Sequence, residues 1–359
     1  MIAGMELREK IDRAVAAVLS RGALMRSGLS WRGIADRVSS GELIRLRNGW
    51  YVRGETWEAE RPDVRHLMVM HAARSDRHGN GVFSHRSAAT LHGLPVWSDW
   101  MRGERDRAVR DCLTAHLLAP IAASGSGGAR SKLYRRPDGS ADTVRIAGFT
   151  CTSADRTLAD LAASEPFAVA LSCADRLLRD EVAVGRLIDP RGVEAWRARL
   201  LALARSRAGA RGVRALRALA ALADPRAESP LESVSRLRSW QIGLEPELQV
   251  PVRSERGGTL YLDFLFRSVG FFGECDGKGK YFDDELRGQR TPDEVFEHER
   301  RRHNWVSGVT RMNGVRWGVR EVVTVERFAT HLREFGVPFP GRAVECFGPE
   351  IARFLREAR

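Results

Sequence analysis

TLYLDFLFRSVGFFGECDGKGK, residues 259–280, is the stretch around which this chain is organised. Two apolar runs, Leu260–Phe266 and Gly270–Asp276, flank a turn-like Arg267-Ser268-Val269-Gly270, which is the pattern of a β-hairpin. With the turn centred between Ser268 and Val269, Asp263 falls opposite Glu274 and Tyr261 opposite Asp276. Side chains alternate along a strand and directly opposed residues share a face, so Asp263, Glu274 and Asp276 point the same way. Leu262, Phe264, Phe271 and Cys275 take the other face, which reads as the core side.

Carboxylates on one face of an apolar hairpin repel: two charges ~5 Å apart cost about 3 kcal/mol at an effective dielectric near 20. A divalent cation removes that cost, and an oxygen-rich donor set suits Mg²⁺ or Mn²⁺. A solvated face with arginine partners is the plainer arrangement. Tyr261, Leu265 and Phe272 share the face, which favours the metal.

Upstream, Ser229-Pro230-Leu231-Glu232 has the form of a helix N-terminus, with Glu232 at the third helical position. That is a capping arrangement, and a first-turn glutamate can face a site as well. A Glu232-bearing helix, a strand with Leu262-Asp263-Phe264 and a strand ending Glu274-Cys275-Asp276-Gly277 follow in order. Together they resemble the PD-(D/E)xK nuclease superfamily, in particular the branch like very-short-patch-repair endonucleases, over roughly residues 226–325.

The resemblance implies a restriction-endonuclease-like α/β domain that hydrolyses DNA phosphodiester bonds with Mg²⁺ or Mn²⁺. Asp263 and Glu274 would hold the metal, with the Cys275 carbonyl as a further ligand. Glu232 would reach it through water or hold a second ion. The superfamily's usual lysine is Asp276 here, which then stands as general base or extra ligand; the short-patch-repair-like branch commonly lacks that lysine too. Lys278 and Lys280 follow in a glycine setting, placed to stabilise charge on the scissile phosphate or to contact the backbone, with Asp283, Asp284 and Glu285 competing for them. A basic helix, Glu294–Val306, and strands at Val309–Met312 and Val315–Val319 would complete the sheet, with Arg300 and Arg302 on the DNA side. Residues 321–359 read as a helical cap.

At the other end, residues 6–20, Gly22–Gly28 and Trp31–Ser39 read as three helices, the last capped by Ser30. Asn48-Gly49 between alternating apolar residues then marks a tight hairpin. Three helices and a hairpin follow the winged helix-turn-helix plan. In its DNA-binding form the third helix lies in the major groove with Arg32 and Arg37 outward, and Arg45, Arg47 and Arg53 lie near phosphates. Residues 1–53 carry ten Lys and Arg against five Asp and Glu, a balance of +5. Contact with protein is the other use of such a module.

VFSHRSAATLHGLPVW at 82–97, Thr152–Leu161 and Ala174–Leu178, with the winged helix, resemble AbiEi-type antitoxins over roughly residues 6–180. That resemblance implies a DNA-binding repressor with a cognate toxin protein as partner. His85 and His92 have no carboxylate at ligand spacing and read as packed or capping residues; Ser84 and Ser87 read as helix-start residues, and Asp155 and Asp160 are assigned to the start and first turns of a helix. Residues 101–145 are polar and irregular, with a flexible loop at Ala122–Ser131. Residues 191–223 read as two helices with an arginine face: Arg197, Arg199, Arg205, Arg207, Arg211, Arg214 and Arg217. That face is either solvated or a track for DNA phosphates.

The formal charge of +12 and pI near 10.3 suit a polyanionic partner. Only four residues are lysine, so arginine carries nearly all of it, as a GC-rich genome alone would produce. Five scattered cysteines with no CxxC argue against a disulfide framework or zinc site. No apolar run reads as a membrane span or signal peptide, so a cytoplasmic protein with no membrane partner is expected.

The expected architecture is therefore α/β and multidomain: a winged helix-turn-helix over 1–55, an AbiEi-like α/β middle region over 60–190, a helical connector over 191–225 and the nuclease-like domain over 226–359. The expected function is metal-dependent cleavage of DNA; the alternative is an antitoxin-like repressor whose nuclease fold is catalytically silent.

Overall fold

The structure is a computed structural model of the 359-residue chain and describes residues 2–76, 81–96, 101, 114–120, 131–136, 142–255, 257–276 and 292–358. It is mixed α/β, and no helix among the described residues is long and apolar enough to cross a membrane. The chain divides into two units, residues 1–97 with 108–164, and residues 98–107 with 165–359.

The first unit begins with α1 (Ile2–Ala17), β1 (Leu19–Ser20), α2 (Arg21–Arg26), α3 (Trp31–Ser39), β2 (Leu43–Arg47) and β3 (Trp50–Arg53). Ser20 and Ser30 cap α2 and α3 by accepting the Ala23 and Gly33 amides. Gly49 turns the β2–β3 hairpin at φ 79, a left-handed conformation that costs glycine little. The strands form a sheet in the order β1-β3-β2 over a small core of Leu24, Ile34, Leu43 and Tyr51.

The unit continues through α4 (Gly54–Ala59), α5 (Pro62–Asp76), β4 (Val82–Phe83), α6 (His85–Leu91), β5 (Ala115–Pro120), β6 (Ser131–Arg136), β7 (Thr143–Ile146), β8 (Phe149–Thr152) and α7 (Ala154–Ser164). Its five-stranded sheet has the order β6-β5-β4-β8-β7. Strands β5 and β6, and β7 but for its last residue, fall in the stretch 101–145 expected to be irregular; the rest of residues 101–141, except Met101 and Thr114, lies outside the described residues. His85 is buried with Nδ1 2.9 Å from the Ser84 hydroxyl, and His92 donates to the Thr152 carbonyl at 2.8 Å. Asp155 lies in the first turn of α7 and Asp160 in the second, where it is fully buried and accepts from Arg156 Nε at 3.4 Å.

The second unit carries α8 (Phe167–Val182), β9 (Ala183–Val184), β10 (Leu187–Ile188), α9 (Pro190–Ser206), α10 (Val213–Leu222), α11 (Pro230–Ile242), β11 (Glu247–Arg253), β12 (Thr259–Phe266), β13 (Phe271–Cys275), α12 (Pro292–Thr310), β14 (Asn313–Trp317), α13 (Val319–Val322), α14 (Val325–Glu334) and α15 (Pro349–Glu357). The sheet order is β11-β12-β13-β14, antiparallel except for the parallel pair β13–β14. Helix α12 makes the crossover that this parallel pair requires. It runs to Thr310, so the strand expected at Val309–Met312 is not formed.

Nor does the chain divide near 190 or 225. Asp175 on α8 and Arg236 on α11 form a fully buried ion pair with both carboxylate oxygens 2.7 Å from Nη2, which ties the expected middle region to the sheet. On α9 and α10, Arg197, Arg199, Arg214 and Arg217 pair with Glu194, Glu181, Glu357 and Glu350. These four arginines of the face are thus engaged by acidic partners.

The β11–β14 sheet is covered on both sides. Phe264 and Phe266 lie against Trp317, which packs on Phe328 of α14 and donates to Ser235 of α11 at 2.8 Å. Leu265 and Phe272, expected beside the carboxylates, are also buried, clustering with Val306 of α12. Leu262 joins this second layer rather than the Phe264 layer; the alternation breaks where Gln249, on the neighbouring strand, adopts φ 51.

Gly273 shows how tightly the first layer is packed: a Cβ built there would overlap the Trp317 indole. Gly273→Ala is expected to destabilise the protein by about 1–3 kcal/mol, the usual cost of overpacking, as read from the urea midpoint. An unchanged midpoint would contradict that packing.

Candidate active site

Helix α11 starts as its sequence directs. Ser229 caps it, Pro230 occupies the first turn where its missing N–H is no loss, and Gly243 ends it at φ 95. Glu232 is 5% exposed, and its amide donates to the capping Ser229 hydroxyl at 3.2 Å. Its carboxylate accepts from the Ser229 hydroxyl at 3.0 Å, the Glu228 amide at 2.9 Å and Gln249 Nε2 at 3.3 Å.

The β12–β13 hairpin has the register expected from the sequence, with Phe264 opposite Gly273 and Phe266 opposite Phe271. A three-residue 3₁₀ turn, Arg267–Val269, and Gly270 at φ 70 join the strands. Asp263 accepts the Cys275 amide at 2.8 Å. Glu274 is 8% exposed and accepts from Arg302 Nη2 at 3.1 Å; the same nitrogen donates to the Tyr261 carbonyl at 2.8 Å. Asp276 pairs with Arg316 on β14, with Nε at 3.0 Å and Nη2 at 2.7 Å. Expected as a base or ligand, Asp276 thus lies in an ion pair.

Burial pushes Glu274 up to about 7 from its ordinary 4.5, and the Asp263 charge adds to this while Arg302 and Arg316 oppose it. Glu232 is likewise pushed to about 7 by burial, with the Asp263 charge adding and the Glu228 amide opposing. The Cys275 thiol is driven well up by burial, which removes it as a nucleophile.

The Glu274 value sets a pH prediction. The unfolded carboxyl releases its proton near 4.5 and the folded one near 7, so the native state binds more protons between them. Stability is lost as pH rises through that window. Relative to wild type in EDTA, Glu274→Gln should gain stability from pH 4.5 to 7, reaching about 3 kcal/mol at pH 8. Urea unfolding of both proteins at pH 5 and pH 8 checks it; a pH-independent difference would contradict it.

Among the described residues, no group of three or more His, Cys, Asp and Glu side chains is gathered to hold a metal ion. The donor chemistry that fits Mg²⁺ or Mn²⁺ is a two-carboxylate set, Asp263 and Glu274, with the carbonyl of Cys275, the residue after Glu274, beside it. Both offer hard oxygen atoms, and Asp263 raises the cost of ionising Glu274, which a divalent cation would relieve. The oxygens of Glu232 are committed to the cap and to Gln249.

A cleft beside Glu274 is lined by Phe272, Arg302, His303, Val306 and Arg316. Arg316 was not singled out in the sequence; it reaches the site because β14 pairs parallel with β13, Arg316 against Glu274. His303 is held below its ordinary value by burial and by Arg316, which favours the neutral imidazole. Arg300 is exposed and bonded to Glu297 at 2.9 Å. Lys278 and Lys280 lie outside the described residues.

Of the arginines expected on DNA in the first unit, Arg32 is exposed on α3. Arg37 and Arg53 lie 3.6 Å and 4.0 Å from Glu42 and Glu55. Arg45 bonds Asn48 at 3.3 Å, and the half-buried Arg47 donates to Ser131. Exposed ion pairs of this kind are weak. Trp31, absent from the sequence-derived set, is 56% exposed at the start of α3 with Arg21 stacked 4.6 Å from its ring centre.

No family model matches the chain, and comparison with curated proteins finds no match.

Proposed function

We propose that this is a DNA-binding protein whose second unit hydrolyses phosphodiester bonds with Mg²⁺ or Mn²⁺, in the manner of PD-(D/E)xK nucleases. The observation that carries the proposal is the pair Asp263 and Glu274 on adjacent antiparallel strands, with the Asp263 charge felt at both Glu274 and Glu232. The helix–strand–strand–strand–helix–strand order from α11 to β14 supports it, as does the pairing of β14 beside β13.

Asp263 and Glu274 would hold the metal, with the Cys275 carbonyl as a third oxygen. A metal held there would acidify a bound water and stabilise charge on the phosphorus centre. Glu232, held by Ser229 and Gln249, keeps a fixed carboxyl beside Asp263. Arg302 and Arg316 line the adjoining cleft, where guanidinium groups suit phosphate oxygens. The α1–β3 segment is read as a winged helix that delivers this site to DNA through α3 and the β2–β3 hairpin.

The second reading is an antitoxin-like repressor with a silent nuclease fold and a toxin protein as partner. It is favoured by one observation: Glu274 and Asp276 are each already engaged by an arginine. Incubation of supercoiled plasmid with the purified protein in Mg²⁺, Mn²⁺ or EDTA separates the two. Nicking that requires metal supports the nuclease. Intact plasmid in both metals, with DNA still bound, supports the repressor.

A further inference from the structure

We infer that Arg302 is a built-in stand-in for the metal: its guanidinium holds the cation's place at Glu274 until duplex DNA draws it onto a phosphate, so that the metal enters a site already loaded with DNA. This regulation rests on the nuclease reading above. Arg302 Nη2 donates to two oxygens at once, Glu274 Oε1 at 3.1 Å and the Tyr261 carbonyl at 2.8 Å. A carboxylate and a carbonyl oxygen converging on one point are the donors that a hard divalent cation takes. The pairing of β12 with β13 ends at Phe264 and Gly273, and Arg302 bridges the two strands beyond that end.

The guanidinium and a metal exclude each other there. Both use the Glu274 carboxylate, and a doubly charged ion beside a guanidinium meets twice the repulsion of two unit charges. The charges set the order of events. With both carboxylates ionised, Asp263, Glu274 and Arg302 leave one net negative charge; a divalent ion reverses its sign, and one phosphodiester cancels the excess. Metal and phosphate therefore favour each other's binding, and Arg302 is the group that passes between them.

Only a side chain has to move. Helix α12 is anchored one turn beyond Arg302, where Trp305 Nε1 donates to the Arg253 carbonyl at 2.7 Å and Val306 is buried with Leu265 and Phe272. Arg302 itself is 33% exposed, and its Nε and Nη1 make no hydrogen bond among the described residues. A guanidinium fork of this kind takes two phosphate oxygens side by side. It lines the cleft with Arg316, which is held to Asp276, so Arg302 is the arginine whose departure uncovers Glu274.

The test follows Mn²⁺ by electron paramagnetic resonance at pH 8 in full-length wild type, Arg302→Gln, Arg302→Lys and Arg320→Gln. Each is titrated with and without an uncleavable phosphorothioate duplex, counting only the Mn²⁺ that Asp263→Asn fails to retain. Wild type should bind Mn²⁺ about tenfold more tightly with duplex than without, and saturating Mn²⁺ should tighten duplex binding by the same factor in anisotropy. Arg302→Gln without DNA should bind Mn²⁺ about as tightly as DNA-bound wild type. Arg302→Lys, which keeps the cation, and Arg320→Gln, which removes a charge from an exposed position elsewhere, should behave as wild type. No gain in DNA-free Arg302→Gln, no effect of duplex on wild type, or an equal gain in Arg320→Gln would overturn the stand-in and leave the metal reading in place. Absence of Mn²⁺ from every protein, with duplex and without, would overturn both.

Discussion

Asp263→Asn is expected to remove the proposed metal-dependent cleavage, lowering the rate by at least about 10³-fold, which is about 4 kcal/mol of transition-state stabilisation. The replacement is nearly isosteric, and its amide oxygen can still accept the Cys275 amide, so the hairpin keeps its register. What would be lost is the anionic donor proposed to pair with Glu274 around a cation. The mutation also lifts a like charge from Glu274 and Glu232, so the folded protein is not destabilised through them. Cleavage rates at saturating DNA check the prediction, with binding measured alongside by anisotropy in EDTA. Equal rates for the variant and wild type would assign the activity to a contaminant or to another site.

Asp175→Ala should be the most damaging single change to the fold, at about 3–5 kcal/mol, because it leaves a buried guanidinium without its counter-ion. Both side chains of the pair are 1% exposed. Asp175 also accepts the Asp224 amide at 2.9 Å, and the other Arg236 nitrogens have little to replace it: Nε and Nη1 make no hydrogen bond, and Nη1 is 3.7 Å from Asp224. Burial pushes the Asp175 carboxyl up and Arg236 pulls it down, so the pair is costly in place and more costly to break. Replacing both, as Asp175→Leu with Arg236→Met, should recover most of the loss. Guanidinium unfolding followed by tryptophan fluorescence reads both numbers; a loss under about 1 kcal/mol for Asp175→Ala would show that water reaches Arg236. Arg236 lies one turn beyond Glu232 on α11, so a partial loss of this anchor should also displace the acidic end of the helix.

The hairpin was legible because a period of two over Leu260–Phe266 and Phe271–Cys275, with a glycine at the turn, leaves one register that opposes Asp263 and Glu274. Ser30, Ser229 and Asn48-Gly49 were equally plain, since capping and tight turns are local chemistry. The second layer over the sheet was not legible. Whether Leu265 and Phe272 face solvent or Val306 depends on where a helix thirty residues later comes to rest. Asp276 and Arg316 likewise meet only through parallel pairing across that crossover, and Asp175 reaches Arg236 from sixty-one residues away. Partners at such separations leave no periodic trace in the chain. The break at Gln249 was hidden for a different reason: nothing in Glu247–Arg253 marks a left-handed residue, and its strain is borne by the bonds it makes to Arg186 and Glu232.

The most direct measurement is electron paramagnetic resonance of Mn²⁺ titrated at pH 8 into the protein bound to an uncleavable phosphorothioate duplex, for wild type, Asp263→Asn and Glu274→Gln. This pH lies above the value of about 7 to which burial raises Glu274, and the DNA supplies the phosphate side of the site. Sequestered Mn²⁺ in wild type, with loss of that binding in each variant, is the predicted result. Equal sequestration by all three proteins, or none by any, would contradict a metal centre at Asp263 and Glu274.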